Sequence, residues 1–490
     1  MVRASCLLVL VLVACTHHAA STRTPSAGDA ALAERDDHAA FTPLEPRLDR
    51  VTGSVARAGN HVELLVDGQT SFAHRLAGAR TAELILIKTF AFTDDETGRA
   101  VADLLIERAR AGARVIVQYD AVGSIHDPSE VAPMLANGNE KPIITRLRNA
   151  GIEVVAANAP AGKIELGELA GGLARTVFHP FEHLGIAIDR TRRLEFHDHE
   201  KYWITGTTTP EGFTLTAILG GMNIGSEYAF GGLSRADAVT GAHGWHDVDV
   251  EVRGPVVNDI VARYFDVMDD QLGRDHAPAL RARWNAPQPP AGDARVRFVY
   301  NHPRFGNHHA IDELYAALVD AVPATGVIRF ETAYFAPSER LRGRLRDALA
   351  RGTRLAVISN LETNDTAPVA EGTWFVYRAL LELDGSAALY QRVARPDLGG
   401  VMVHCKVASF GTHGPVIVGS ANLDAQSGEH NSEDVLVIED AALRRQFDAM
   451  FEQDYAPDRA SRVTLEILRQ DSTWARFRQW AIFNLGGNWL

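Results

Sequence analysis

The chain has 490 residues, of which 46% are hydrophobic and 23% charged, an ordinary globular composition with length enough for two domain-sized cores. That balance excludes a chain disordered overall. A formal net charge of -13 disfavours a broad nucleic-acid footprint and leaves room only for a local basic pocket.

The N-terminus, MVRASCLLVLVLVACTHH, places Arg3 before an apolar run from Leu7 to Ala14. The run is too short to span a bilayer and reads as an export signal over residues 1–14. Leu12-Val13-Ala14-Cys15 resembles a bacterial lipobox, which implies lipidation of Cys15; Thr16 after it, where Asp would retain the protein at the inner membrane, implies the outer membrane. A secretory signal cut near His17 to Ala20 is the alternative. Residues 15–50 are rich in Ala, Ser, Thr, Pro and charge without apolar period, and read as a lipid anchor and flexible tether.

Folding is expected from Val51. AELILIKTFAF at 82–92 is a buried-strand run. The next segment, 96–120, reads as a helix with apolar residues at 101, 104 and 105, broken at Gly112 and followed by a strand, completing a β-α-β unit. Residues 121–195, with two Gly/Ala-rich pieces, are expected to form a loop-and-helix insertion at the mouth of a site, as a lid or substrate wall. His179 and His183 within it lack a Cys or Glu partner set and read as surface histidines, not a metal pair.

NAPQPPAG at 285–292 is the clearest linker. Beyond it, 327–360 repeats the β-α-β unit, with ALARGTRL echoing ARAGARV. Two α/β halves follow, 51–284 and 294–490, joined by 285–293. In the tail, Trp474, Phe477, Trp480 and Phe483 share a helical stripe, for which packing against the core is the default and contact with a membrane interface the alternative.

Each half also carries the same short motif. HEKYWITG begins at His199 and closes on GGMN; HCKVASFG begins at His404 and closes on GSAN. In an extended strand His199 and Lys201 share a face, as do His404 and Lys406, while Glu200 and Cys405 point the other way. Imidazole beside ammonium suits a phosphate. Of the three cysteines, Cys6 and Cys15 lie at the signal, so an internal disulfide framework is excluded. Strand alternation turns Cys405 into the core as a structural residue, although its neighbours invite reading it as a nucleophile.

The duplicated His-x-Lys followed by Gly-Ser-x-Asn resembles the phospholipase D superfamily, and WHDVDVEVRGP, TAYFAP and SNLETNDTAPV resemble its bacterial cardiolipin synthase-like branch. The resemblance covers roughly 60–440. It implies an α/β fold of two phospholipase D-like repeats, each a mostly parallel sheet flanked by helices, packed around one shared active-site cleft.

A phosphodiester repels nucleophiles and needs a proton for its leaving alkoxide. Paired imidazoles meet both needs, one attacking phosphorus to give a phosphohistidine and the other acting as acid and then base, with an ordinary pKa of about 6.5. Lys201 and Lys406 supply positive charge. Asn223, Asn422 and Ser420 are expected to donate to the non-bridging oxygens, and Gly221, with Gly220 and Gly419, to let backbone approach the substrate. By the resemblance, His199 is the nucleophile and His404 the acid and base, and each has a carboxylate partner: Asp247 for His199 and Glu433 for His404. Asp249 is the alternative to Asp247.

In two respects the chain departs from the family pattern. Gly206 and Gly411 stand where an Asp usually follows each motif Lys, and Gly221 stands where the second motif has Ser420. Position at the far end of the strand makes the first departure a matter of the turn.

The expected function is therefore phosphatidyl transfer or phospholipase action on phosphatidylglycerol or a similar lipid, in the bacterial envelope, without metal, cofactor or protein partner. A secreted phosphodiesterase or nuclease on the same site, and a catalytically silent lipid-binding lipoprotein, are the competing readings.

Overall fold

Alternating buried runs and amphipathic helices build one large mixed sheet with helices on both faces. The computed structural model describes residues 41, 44–121, 123, 140–157, 197–210, 212–229, 244–272, 277–303, 306–307, 309–363, 367–393 and 402–485. The signal at 1–14, Cys15, Thr16, the tether as far as residue 40, and His179 with His183 lie outside them.

The N-terminal half contributes β1 (Arg57–Val66), β2 (Leu84–Thr89), β3 (Arg114–Asp120), β4 (Glu153–Ala157), β5 (Tyr202–Thr209), β6 (Gly212–Gly220) and β7 (Val248–Arg253). Its counterpart contributes β8 (Ala294–Asn301), β9 (Val327–Thr332), β10 (Arg354–Ser359), β11 (Ala388–Arg392), β12 (Lys406–Phe410), β13 (Val416–Gly419), β14 (Glu433–Glu439) and β15 (Ala460–Val463). The order across the sheet is β15-β11-β10-β9-β12-β13-β14-β8-β1-β7-β6-β5-β2-β3-β4. Read outward from the antiparallel β1–β8 seam, each half repeats the other strand for strand, with β15 added at one edge.

The α/β class and the two repeats match expectation; the pairing does not. Among the described strands β2–β3–β4 and β9–β10–β11 pair in parallel, and the other strand pairs are antiparallel. The motif strands cause this: β5 and β12 run directly into β6 and β13 as hairpins, and a hairpin can only be antiparallel.

The β-α-β units form where the sequence places them. The helices Glu96–Arg110 and Glu339–Ala350 are capped by the side chains of Asp95 and Ser338, and Gly112 and Gly352 end the connections at φ 97° and 94°, a region that favours glycine. Part of the expected insertion belongs to the repeat. Helix Pro142–Asn149 and β4 correspond to helix Ala367–Leu383 and β11, so part of the stretch expected as a lid or substrate wall is an edge strand of the sheet; 124–139 and 158–196 lie outside the described residues. The end of the expected tether is likewise ordered into the fold: Glu45–Thr52 is helical, Phe41 and Leu48 join the core of the C-terminal half, and Arg297 donates to both Glu45 and Asp49 at 2.7 Å.

The aromatic stripe of the tail splits. Phe483 is buried, whereas Trp474, Phe477 and Trp480 are 67%, 51% and 46% exposed, contrary to the default of core packing.

Candidate active site

Both motifs sit where a motif strand meets the opposite half. The segment before β5 runs beside the C-terminal motif: His199 N–H donates to the Ser432 carbonyl at 2.9 Å and Ser432 N–H to His197 at 2.8 Å. The segment before β12 does the same in reverse, with His246 N–H donating to Met402 at 2.8 Å and His404 N–H to His246 at 2.7 Å. The strand direction then places Glu433 beside His199 and Asp247 beside His404. His199 Nδ1 lies 2.9 Å from the Glu433 carboxylate, and His404 Nδ1 lies 2.7 Å from Asp247 Oδ2.

The expected partners are therefore exchanged. Asp247 serves His404 and Glu433 serves His199, because each imidazole crosses the seam to find its carboxylate. Asp249 is not a candidate for either: from β7 it is buried against the helix Asp67–Thr81, bound to Ser71 and, at 2.6 Å, to Arg75.

Both imidazoles are nearly buried, at 7% and 6% exposure, with carboxylates wholly inside. Carboxylate on Nδ1 fixes the tautomer and ring orientation of each imidazole. The motif lysines fold back on their own histidines, Lys201 Nζ donating to the His199 carbonyl at 2.6 Å and Lys406 Nζ to that of His404. Lys406 Nζ is also 3.0 and 3.2 Å from the two ring nitrogens of His404. Burial pulls the Lys201 ammonium down to about 7 despite nearby Glu433, and burial pushes the Glu433 carboxyl up to about 7 despite Lys201 and its hydrogen-bond donors. Burial likewise raises Asp247. A bound phosphate, adding negative charge, would favour the ammonium form of Lys201.

Glu433 is the more heavily held carboxylate. Ser420 Oγ donates at 2.5 Å, Ser427 Oγ at 2.8 Å and Asn431 Nδ2 at 3.1 Å, the last two presented by the π-helical turn Gln426–His430 and the residue that caps it. Ser420 thus supports the carboxylate from a fully buried position and is not a substrate donor as expected. Gly221 occupies the equivalent place in the other half. A Cβ there would sit 2.2 Å from Asp247 Oδ1, so its glycine makes room for the carboxylate and not for substrate backbone.

The two Asn residues also differ. Asn223 Oδ1 accepts from the amides of Phe90 and Ala91 at 3.1 and 3.2 Å, and its Nδ2 donates to the Tyr228 hydroxyl at 2.9 Å, so it braces the loop after β2. Asn422 has a buried Oδ1 without a partner among the described residues. Around the imidazoles stand aromatics that the sequence reading missed: Phe90 edge-on to His199 at 4.8 Å, Tyr228 edge-on to His404 at 5.1 Å, and Trp245 stacked on His404 at 4.9 Å. Trp245 heads the segment WHDVDVEVRGP and Tyr228 follows Asn223 by five residues, where adjacency to the motif residues was the available signal.

Behind each motif the middle residue points inward, as strand alternation requires. Glu200 joins Lys88, Arg263 and the Tyr202 hydroxyl; burial raises its pKa, but Arg263 and Lys88 outweigh that and hold it down to about 2. Cys405 is buried, and burial pushes its thiol well up, which suits a structural residue and not a nucleophile. Its sulfur and donor atoms of His246 and Glu331 lie within 4.8 Å of one another, but Asp67 and Asp454 flank His246 at 2.7 and 3.3 Å and hold it as an imidazolium against burial. Arg392 neutralises Asp454 at 3.0 Å. The group is an internally balanced ion cluster.

Gly206 lies in the middle of β5, paired with Leu84 and Leu215 and not at a turn as expected, and a Cβ there would meet the Phe213 ring at 2.4 Å; Gly411, with φ 62°, is at the turn after β12. Neither touches the paired imidazoles.

Residues 323–455 match the family model for the phospholipase D-like domain of cardiolipin synthase. A probable cardiolipin synthase of Bacillus subtilis strain 168, YwiE, is 25% identical over 396 residues, covering 81% of this chain and 66% of that protein. The major cardiolipin synthase ClsA of the same organism is 24% identical over 422 residues, covering 86% and 73%. Among solved structures, the phosphatidylserine synthase of Haemophilus influenzae Rd KW20 superposes with a TM-score of 0.63 at 13% identity, covering 91% of this chain and all of that one, a likeness of fold.

Proposed function

We propose that this chain, which belongs to the phospholipase D superfamily, is a phosphatidyltransferase or phospholipase of the cardiolipin synthase type, acting on the head-group phosphodiester of phosphatidylglycerol or a similar lipid at a bacterial membrane. The observation that carries this reading is the crossed pair of imidazoles, each with Nδ1 on a buried carboxylate of the opposite half.

In the proposed cycle Nε2 of His199 attacks phosphorus, the bond to the head-group oxygen breaks, and His404 gives its Nε2 proton to that oxygen. The phosphatidyl group is then covalently on His199. His404, now neutral, takes the proton of an incoming alcohol or water as that oxygen attacks phosphorus, which frees His199 and reprotonates His404. Glu433 stabilises His199 as positive charge develops on attack, and Asp247 favours the imidazolium of His404. Lys201 and Lys406 offset charge on the non-bridging oxygens. A lipid alcohol as acceptor gives transfer; water gives hydrolysis. Lipidation of Cys15 would keep the enzyme beside its substrate, and Cys15→Ser should release it from membranes.

The test is incubation of the full chain, in chelator, with head-group-labelled phosphatidylglycerol in mixed phospholipid vesicles and, in parallel, with single-stranded DNA. Release of labelled glycerol with a diphosphatidyl lipid or phosphatidic acid as product is expected. Cleavage of DNA with the lipid untouched would assign the site to nucleic acid, and inactivity on both would leave a silent lipid-binding protein.

A further inference from the structure

Among the described residues five large hydrophobic side chains are exposed, and four of them, Leu383, Trp474, Phe477 and Trp480, lie on one pair of helices, Ala367–Leu383 and Thr473–Leu485. Soluble surfaces scatter such residues singly; three of these four adjoin, and a contiguous group marks a contact. The three aromatic rings form a row, Trp474 to Phe477 at 5.6 Å and Phe477 to Trp480 at 6.0 Å between centroids.

The opposite side of the helix is firmly attached. Phe483 stacks on Phe375 at 4.6 Å, Arg478 pairs with Glu371 at 2.6 Å, and Gln479 is buried. The aromatic row is thus displayed from a fixed base. Its place in the fold is equally specific. The Arg342 guanidinium covers Phe483 at 4.6 Å and donates to the Pro337 carbonyl at 2.7 Å, on the loop that leaves β9. That loop binds the turn of the second motif, with Ala336 N–H donating to Leu423, next to Asn422, at 2.7 Å, and Thr332 at its start pairs with Lys406. The helix therefore stands on the catalytic edge of the sheet.

We propose that this helix pair is an interfacial docking surface for a phospholipid bilayer, which seats the aromatic row at the head-group boundary and turns the neighbouring site toward membrane lipid. The chemistry selects this occupant. Trp joins an apolar body to an N–H that remains hydrogen-bonded at the interface, and the helix that carries the row, TWARFRQWAIFNL, has two arginines and no acidic residue, which suits anionic head groups. At 13 residues the helix is too short to cross a bilayer but suited to lying in its surface, and no described helix is long and apolar enough to cross one. The choice of a lipid surface rests on the lipid-substrate reading.

The test uses the full chain and vesicles of phosphatidylglycerol and phosphatidylcholine with brominated acyl chains, which quench tryptophan only on contact. Wild-type fluorescence should fall on mixing, and the Trp474→Phe/Trp480→Phe double variant, which keeps the apolar row but removes the reporters, should lose most of that quenching. The variant with Trp474, Phe477 and Trp480 all changed to Ser should show at least a tenfold higher KM for vesicle lipid while turning over a soluble p-nitrophenyl phosphodiester as wild type does. Undiminished quenching in the double variant, no quenching in wild type, or burial of these tryptophans in a concentration-dependent dimer would overturn the proposal. Failure of wild type to turn over either substrate would instead count against the catalytic reading, since quenching is measured without turnover.

Discussion

The two half-sites keep the same reactive groups and support them differently. Around His199 the carboxylate is Glu433, held by Ser420, Ser427 and Asn431; around His404 it is the shorter Asp247, held by the Val248 amide at 2.8 Å and packed against the bare Cα of Gly221. Behind His199 the motif's middle residue, Glu200, anchors a buried ion network, whereas behind His404 it is the thiol of Cys405. The difference teaches that carboxylate and turn residue vary together: a long carboxylate goes with a supporting hydroxyl, a short one with a glycine that leaves it space. The absence of Ser from the first motif is thus a steric requirement of Asp247 and not the loss of a substrate donor.

Removing a support should cost most where charge is buried. Glu200→Ala leaves Lys88 and Arg263 without their shared carboxylate in the interior and should destabilise the fold by about 3–5 kcal/mol, read as a shift in denaturant midpoint. Cys405→Ala, at the equivalent position, should cost about 1 kcal/mol by the same measurement; equal losses would erase the contrast between the halves.

Exchanging the turn residues comes next. Gly221→Ser drives a side chain into the Asp247 carboxylate and should cost about 1–3 kcal/mol, with turnover reduced about 10- to 100-fold as His404 loses its partner. Ser420→Ala should be milder, with turnover down about tenfold at most, because Ser427 and Asn431 still hold Glu433. If Gly221→Ser is fully active, the steric account of that glycine is wrong.

Much of this was legible in the chain. The β-α-β units at 84–120 and 327–359 followed from apolar runs, capping residues and Gly112 and Gly352, and strand alternation correctly sent Glu200 and Cys405 inward. The carboxylate pairing was not legible, because Glu433 reaches His199 only through a backbone contact between halves, at Ser432, and local sequence carries no record of that. Ser420 was misread for a related reason: its distance from substrate depends on which face of the turn Glu433 occupies. Edge strand β4 was hidden by length alone, since a five-residue strand inside a long Gly/Ala-rich stretch gives little period to detect. The exposed row at Trp474, Phe477 and Trp480 has the same spacing a core stripe would have, and only the packing of Phe483 and Gln479 tells which side faces in.

The central claim is that two halves make one site with exchanged carboxylates, and intact-mass measurement of trapped adducts tests it most directly. A p-nitrophenyl phosphodiester supplies a leaving group that needs no proton, so in the proposed cycle attack by His199 would proceed without His404. His199→Ala should form no adduct, and His404→Ala should form one that breaks down slowly. Glu433→Gln should then behave like His199→Ala, with adduct formation slowed by about 100-fold, and Asp247→Asn like His404→Ala, with an adduct that persists. The opposite grouping, Asp247→Asn with His199→Ala and Glu433→Gln with His404→Ala, would contradict the exchanged pairing.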